Sequence, residues 1–230
     1  MPLGQPIRGR TRLGLDNPFT RNIDPTLVLD MPFSEGIGTT VRDRSLYGNH
    51  GTIDGASWVD GKIGKALSFD GVANNMICLG TENKLNPVEG SIAFWFKSLL
   101  GAVPSGQVIM QKAGSTAWNA IYTEGDGRLN YRINKAGVLY SVYAASTLWA
   151  DGAWHHIVGA YNKTLNGGTQ FLYVDSNLID SAILGIGDLS PNAFGNFRFG
   201  YDFPMICDEV RVYNRALSAA EILRLYNEGK

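Results

Sequence analysis

Few side chains in this sequence are of a type and spacing to do chemistry, and most of those point to binding. Hydrolysis of a glycosidic bond needs two carboxyl groups about 5–5.5 Å apart on one face. The nearest approach is Glu124-Gly-Asp126, which sits in a glycine hairpin rather than along a strand, and no third acid follows. The three histidines are His50, His155 and His156, and the last two stand together in a WHHIV run where they pack or hydrogen-bond. A nucleophilic triad therefore has little support. No catalytic residue is assigned, and the chain reads as a non-enzyme.

Sugar recognition has better material. It needs an aromatic plate for the apolar face of a ring, with planar hydrogen-bonding groups beside it. Trp118, Tyr122, Arg132 and Tyr140, with Tyr143 as a further aromatic, come from one central stretch. Alternation puts Tyr140 and Tyr143 on opposite faces, so at most one of them serves. The plain alternative is that most of these aromatics fill a core. Asp208 is the other residue that calls for explanation. Alternation gives it a face with Ile206, Val210 and Val212, and a buried charge there must be paired, bound to a metal or lie at the open end of a sheet.

The elements that position these groups are short strands. Thr26–Phe33 (TLVLDMPF), Ala66–Phe69 and Met76–Leu79 come first, and Gly90–Lys97 alternates Ile92, Phe94, Phe96 against Ala93, Trp95, Lys97. A meander follows, with Ala120–Thr123 and Leu129–Ile133 flanking Glu124-Gly-Asp-Gly127, a hairpin signal. Val138–Ala144, Trp154–Tyr161, Phe171–Val174, Phe197–Phe199 and Asp208–Tyr213 complete the set. One helix is expected, because Ser218-Ala-Ala-Glu221 spells a capping box ahead of Ile222 and Leu225. The pattern predicts an all-β, two-sheet antiparallel sandwich with a short C-terminal helix.

Composition narrows the partners. With 20 basic against 21 acidic residues, the net charge of −1 gives no nucleic-acid footprint. No apolar run approaches the ~18 residues of a membrane span. The N-terminal MPLGQPIRGRTRLG has no hydrophobic signal core. Residues 1–25 carry Arg8, Arg10, Arg12 and Arg21 with four prolines and no periodicity, which reads as an extended arm ahead of a domain over residues 26–230. Cys78 and Cys207 are free buried thiols or one disulfide between strands; the sequence leaves both open.

Several segments in order, TLVLDMPFSEGIGTTVRDRSLYGNHGTI, GKIGKALSFDG, GSIAFWFKS, DGAWHHIVGAYN, FLYVDS and DEVRVYNRALSAAEI, resemble the concanavalin A-like, laminin-G-like jelly-roll family. The resemblance implies one concave and one convex sheet, a structural calcium in many members, and mostly non-catalytic roles in carbohydrate or surface binding. It implies that the acid opening the last strand meets the early Gly-rich loop, so the candidate calcium ligands are Asp208, Asp43, the Asn49 amide oxygen and a carbonyl near Gly71. Without metal, Asp208 would instead accept backbone N–H groups or pair with Arg42 or Arg44. The family's core-strand segments also place Trp95, Trp154 and Phe171 in the core. Two functions are expected. One is a structural part of an assembly such as a virion, a capsid decoration or phage tail protein whose arm contacts neighbouring subunits. The other is a secreted or cell-surface, carbohydrate-binding adhesion module. Either places it outside a cell or on a virion surface.

Overall fold

The computed structural model describes residues 24–72, 75–78, 89–100, 107–112, 117–135, 137–189, 197–200 and 202–230. Most of the expected arm therefore lies outside the described residues. Sixteen strands follow in chain order: β1 (Leu27–Met31), β2 (Thr40–Val41), β3 (Gly51–Asp54), β4 (Ser57–Asp60), β5 (Lys65–Asp70), β6 (Asn75–Cys78), β7 (Gly90–Ser98) and β8 (Val108–Lys112). The second half holds β9 (Ala117–Thr123), β10 (Leu129–Lys135), β11 (Val138–Ala144), β12 (Trp154–Asn162), β13 (Thr169–Val174), β14 (Asn177–Ile183), β15 (Phe197–Phe199) and β16 (Pro204–Tyr213). One helix, α1 (Ala219–Glu228), ends the chain.

The strands form two antiparallel sheets, as expected. The first runs β14-β13-β12-β7-β16-β5-β4 with β1 also on β16; the second runs β11-β10-β9-β8-β15-β6-β3-β2. Alternation dictates which side chains meet between them. Phe94 and Phe96 of β7 face Ile121, Leu129, Tyr131, Ile133 and Val142 of the meander in one buried cluster. The sheets come so close that a methyl group on Gly159 of β12 would lie 2.8 Å from the Tyr131 ring.

The first sheet is buried on its outer face as well. Ala93, Val158, Tyr173 and Tyr213 pack there against Leu217, Ile222 and Leu225 of the helical segment. The capping box forms as the sequence spells it, with Ser218 and Glu221 bonded reciprocally. Trp95 is buried, but under the helix rather than between the sheets, with its ring 5.5 Å from that of Tyr226 and nearly parallel to it. Phe171 packs against this outer cluster too, and Trp154 is only half-buried.

β16 corrects the expectation for Asp208. Its first half pairs with β5 through Cys207, and its second half with β1 from Val210 onward. Between them lies a bulge, with Glu209 at φ +50°, where the register against β7 also shifts. An extra residue in a strand reverses the alternation beyond it. Met205, Cys207, Val210 and Val212 consequently face the core, and Asp208, opposite Trp95, does not share their face. Cys207 is a free, buried thiol.

Candidate functional site

The outer face of the β9–β10–β11 meander gathers the polar and aromatic groups that the sequence singled out. The turn between β9 and β10 sets the register: Asn130 lies opposite Tyr122 on one side and Tyr143 on the other, and Arg132 lies opposite Ala120 and Ser141. These positions alternate with Leu129, Tyr131 and Ile133, which enter the core. Tyr122, Asn130, Arg132 and Tyr143 thus share the face that points away from the other sheet.

Their contacts are specific. The Arg132 guanidinium stacks 4.0 Å from the centre of the Tyr122 ring, and Nη2 donates to Glu124 Oε1 at 3.0 Å. Asn130 Nδ2 donates to Glu124 Oε1 and lies 3.3 Å from the Tyr122 hydroxyl. Asn130 is fully buried, and its Oδ1 has no hydrogen-bond partner among the described residues. Arg128 stacks 4.2 Å from the centre of the Tyr143 ring and pairs with Asp126 at 2.7 Å. Burial draws the Arg132 pKa down, while nearby Tyr143 opposes it. Two arginine planes, each on a tyrosine and each tied to one carboxylate, make a surface of planar donors and acceptors.

Of the four residues expected to bind sugar, Tyr122 and Arg132 come together here. Trp118 pairs through its backbone with Asn134, the same register parity, but its side chain lies outside the described residues. Tyr140 belongs elsewhere. It stands opposite Ile133 and packs against the core between the sheets. The choice between the two tyrosines therefore falls to Tyr143, because they stand three positions apart and an odd offset reverses the face. Asn130, Arg128 and Glu124 were not expected. The Glu124–Gly127 hairpin carried that information, since its pairing alone puts Asn130 beside Tyr122. Glu124 and Asp126, the nearest thing to a carboxylate pair in the sequence, are each engaged by a different arginine.

The two carboxylates expected to bind calcium each accept hydrogen bonds from the protein. Asp43 Oδ1 accepts the N–H groups of Asp30 and Ser45, and Oδ2 accepts Asn49 N–H and the Ser45 hydroxyl. Asn49 Nδ2 donates to the Val28 carbonyl at 2.9 Å. Asp208 Oδ2 instead accepts Ile63 N–H at 2.9 Å, and Oδ1 accepts Glu209 N–H at 2.8 Å. Burial raises its pKa to about 7, against these N–H groups and that of Lys62. Asp208 stands in for the missing strand partner where β16 passes from β5 to β1, holding the turn before β5. A methyl on Gly61 would lie 2.6 Å from Oδ2, so that turn requires glycine. Gly71 abuts Pro204, four residues back along β16, or about 13 Å at the rise of a strand. Asp43 attaches to Asp30, which pairs with Arg211 three residues on. Among the described residues no group of three His, Cys, Asp or Glu is placed to hold a metal.

Two histidines side by side on β12 are shifted in opposite directions. His156 is buried against Trp95, with ring centres 5.2 Å apart, and burial presses its pKa down to about 4. The His155 ring lies between two carboxylates, and its pKa is raised, chiefly by the Asp175 hydrogen bond.

A two-sheet antiparallel jelly roll closed by one C-terminal helix defines the fold class. Within that class the sequence matches the family described as the concanavalin A-like lectin/glucanases superfamily, a laminin-G type, over residues 70–223, and the chain belongs to it. Among curated proteins none matches. Several solved structures share the fold. The binding domain of Paraclostridial Mosquitocidal Protein 1 is 19% identical with a TM-score of 0.73, covering 88% of this chain and 52% of its own. The binding domain of Botulinum neurotoxin DC, in complex with rat synaptotagmin II, is 15% identical at 0.70, covering 89% and 52%. A botulinum neurotoxin type C structure, from a toxin whose cell entry is described as dependent upon interaction with two ganglioside molecules, is 16% identical at 0.71, with the same coverage. The chain spans about half the length of these neighbours. They show the fold, and two of them are binding domains. None of these matches is a virion protein. Among the described residues no helix is long and apolar enough to cross a membrane.

Proposed function

We propose that this domain is a non-catalytic carbohydrate-binding module that recognises a cell-surface glycan, and so acts outside the cell. The observation that carries the reading is the cluster of Tyr122, Asn130, Arg132 and Tyr143 with Glu124 on the outer face of β9–β11. The Arg132 and Arg128 guanidinium planes with the Glu124 and Asp126 carboxylates match the paired hydroxyls of a pyranose, which donate and accept along one edge, while buried Asn130 holds Glu124 from beneath. The ganglioside dependence of the type C neurotoxin and the family's lectin members support a glycan over an assembly partner. Hydrolysis finds no support at this face, because each of its acids holds an arginine and the two occupy different parts of a turn.

The test is a glycan array followed by calorimetric titration of the best hits against wild type, Arg132→Ala and Tyr143→Ala. Binding tighter than about 1 mM that falls at least roughly tenfold in both variants is expected. An array with no hit, or hits that both variants bind as wild type does, removes this face from consideration.

A further inference from the structure

The first sheet carries a group that the proposed glycan face does not use. His155 opens β12 at one end of the sandwich and is about 9% exposed. Its Nε2 lies 2.9 Å from Asp151 Oδ1, and its Nδ1 lies 2.8 Å from Asp175 Oδ2. A neutral imidazole has one N–H, so one of its nitrogens would turn a lone pair toward a carboxylate oxygen. Both contacts are hydrogen bonds only when the ring carries two protons.

The carboxylates are held in place independently of the ring. Asp151 Oδ1 also accepts Ala153 N–H at 2.8 Å, which fixes the turn leading into β12. Asp175 Oδ1 accepts His156 N–H, and the Asp175 N–H donates to the His156 carbonyl, each at 2.9 Å. Asp175 and Ser176 both have positive φ, +50° and +66°, the geometry of a two-residue hairpin turn between β13 and β14. Phe96 of β7 lies opposite His155 and brings no charge. Asp151 and Asp175 are the charged groups that act on the ring. His156 points to the other side of the strand and stays neutral.

We propose that His155 is a proton-operated latch: protonated, it ties the turn before β12 to the β13–β14 turn, and on losing its proton it releases that end of the sandwich. The direction follows from linkage. A histidine whose pKa is higher folded than unfolded adds stability that is complete below about 6.5, the unfolded value, and fades as pH rises through the folded value. Acidification from neutrality tightens this end.

Two measurements on the full chain test the latch. Imidazole ¹⁵N–¹H spectra should show His155 doubly protonated at pH 6.5 and titrating above it, while His156 stays neutral to well below pH 5. Melting curves of wild type and His155→Gln should differ by about 3 °C at pH 5.5 and by much less at pH 9. The difference between the proteins isolates His155 from Asp208, whose raised pKa acts on both. Should His155→Gln fail to fold, Asp175→Asn and the wild-type spectra decide instead, with the ring pKa falling toward 6.5 in that variant. A His155 that titrates at or below 6.5 in the wild type, or a melting difference that is the same at both pH values, overturns the proposal.

Discussion

The outer faces of the two sheets are built from the same residue types and cross-linked in different ways. On the first sheet Arg211 reaches Glu228 at 2.6 Å, Glu209 at 2.8 Å and Asp30 at 3.3 Å, joining the helix to β16 and β1. Three acids on one guanidinium, with Tyr226 stacked on Trp95, lock the helix to that face. Burial raises the pKa of Glu209, with Arg211 opposing the rise, so this acid depends on its arginine. On the second sheet Arg132 and Arg128 each join one acid and one tyrosine, and no helix lies over them among the described residues. Arginine, tyrosine and glutamate tie a helix to a sheet when a second element brings acids from several directions. Spread along one meander, they join neighbouring strands of a single sheet instead.

The comparison is most severely tested by Arg211→Ala. It strands Glu209 and Asp30 without their shared cation and should lower unfolding stability by about 3 kcal/mol in urea titrations, while glycan affinity stays as in wild type. A loss under about 1 kcal/mol would mean the helix side is held by apolar packing alone. Gly229→Ala is expected to be next. The added methyl would lie 2.6–2.7 Å from the Trp95 ring, so the end of the helix must shift, costing about 2 kcal/mol and altering Trp fluorescence. Arg132→Ala should show the reverse balance, with a stability change of about 1 kcal/mol or less beside a roughly tenfold loss of glycan binding. Smallest of all is the effect of a chelator. With Asp43 and Asp208 each accepting hydrogen bonds from the protein, excess EDTA should move the melting temperature by less than about 1 °C. A larger fall would restore a calcium to the link between the first loop and the last strand.

Much of the architecture was legible in the residues. The strands of the meander, the Glu124–Gly127 hairpin and the Ser218–Glu221 cap lie where local pattern puts them, because each depends on neighbours a few positions away. The site was half legible. Tyr122 and Arg132 could be placed on one face by counting along β9 and β10, and counting also showed that only one of Tyr140 and Tyr143 could join them. It could not show which, because that depends on which side of β11 meets the other sheet.

What the sequence determined by itself, then, is a sandwich of short strands closed by one capped helix, since period-two alternation and capping are local properties of the chain. The tertiary structure decided where Asp208 points and what covers Trp95. A single positive-φ residue at Glu209 reverses the alternation along β16, and β16 exchanges β5 for β1 at that point. Asp208 turns to the Gly61–Ile63 turn, because a bulge is fixed by the strands on either side and leaves no mark in the spacing of apolar residues. Trp95 takes the face opposite Phe94 and Phe96 by alternation, and only the packed fold brings the C-terminal helix over it.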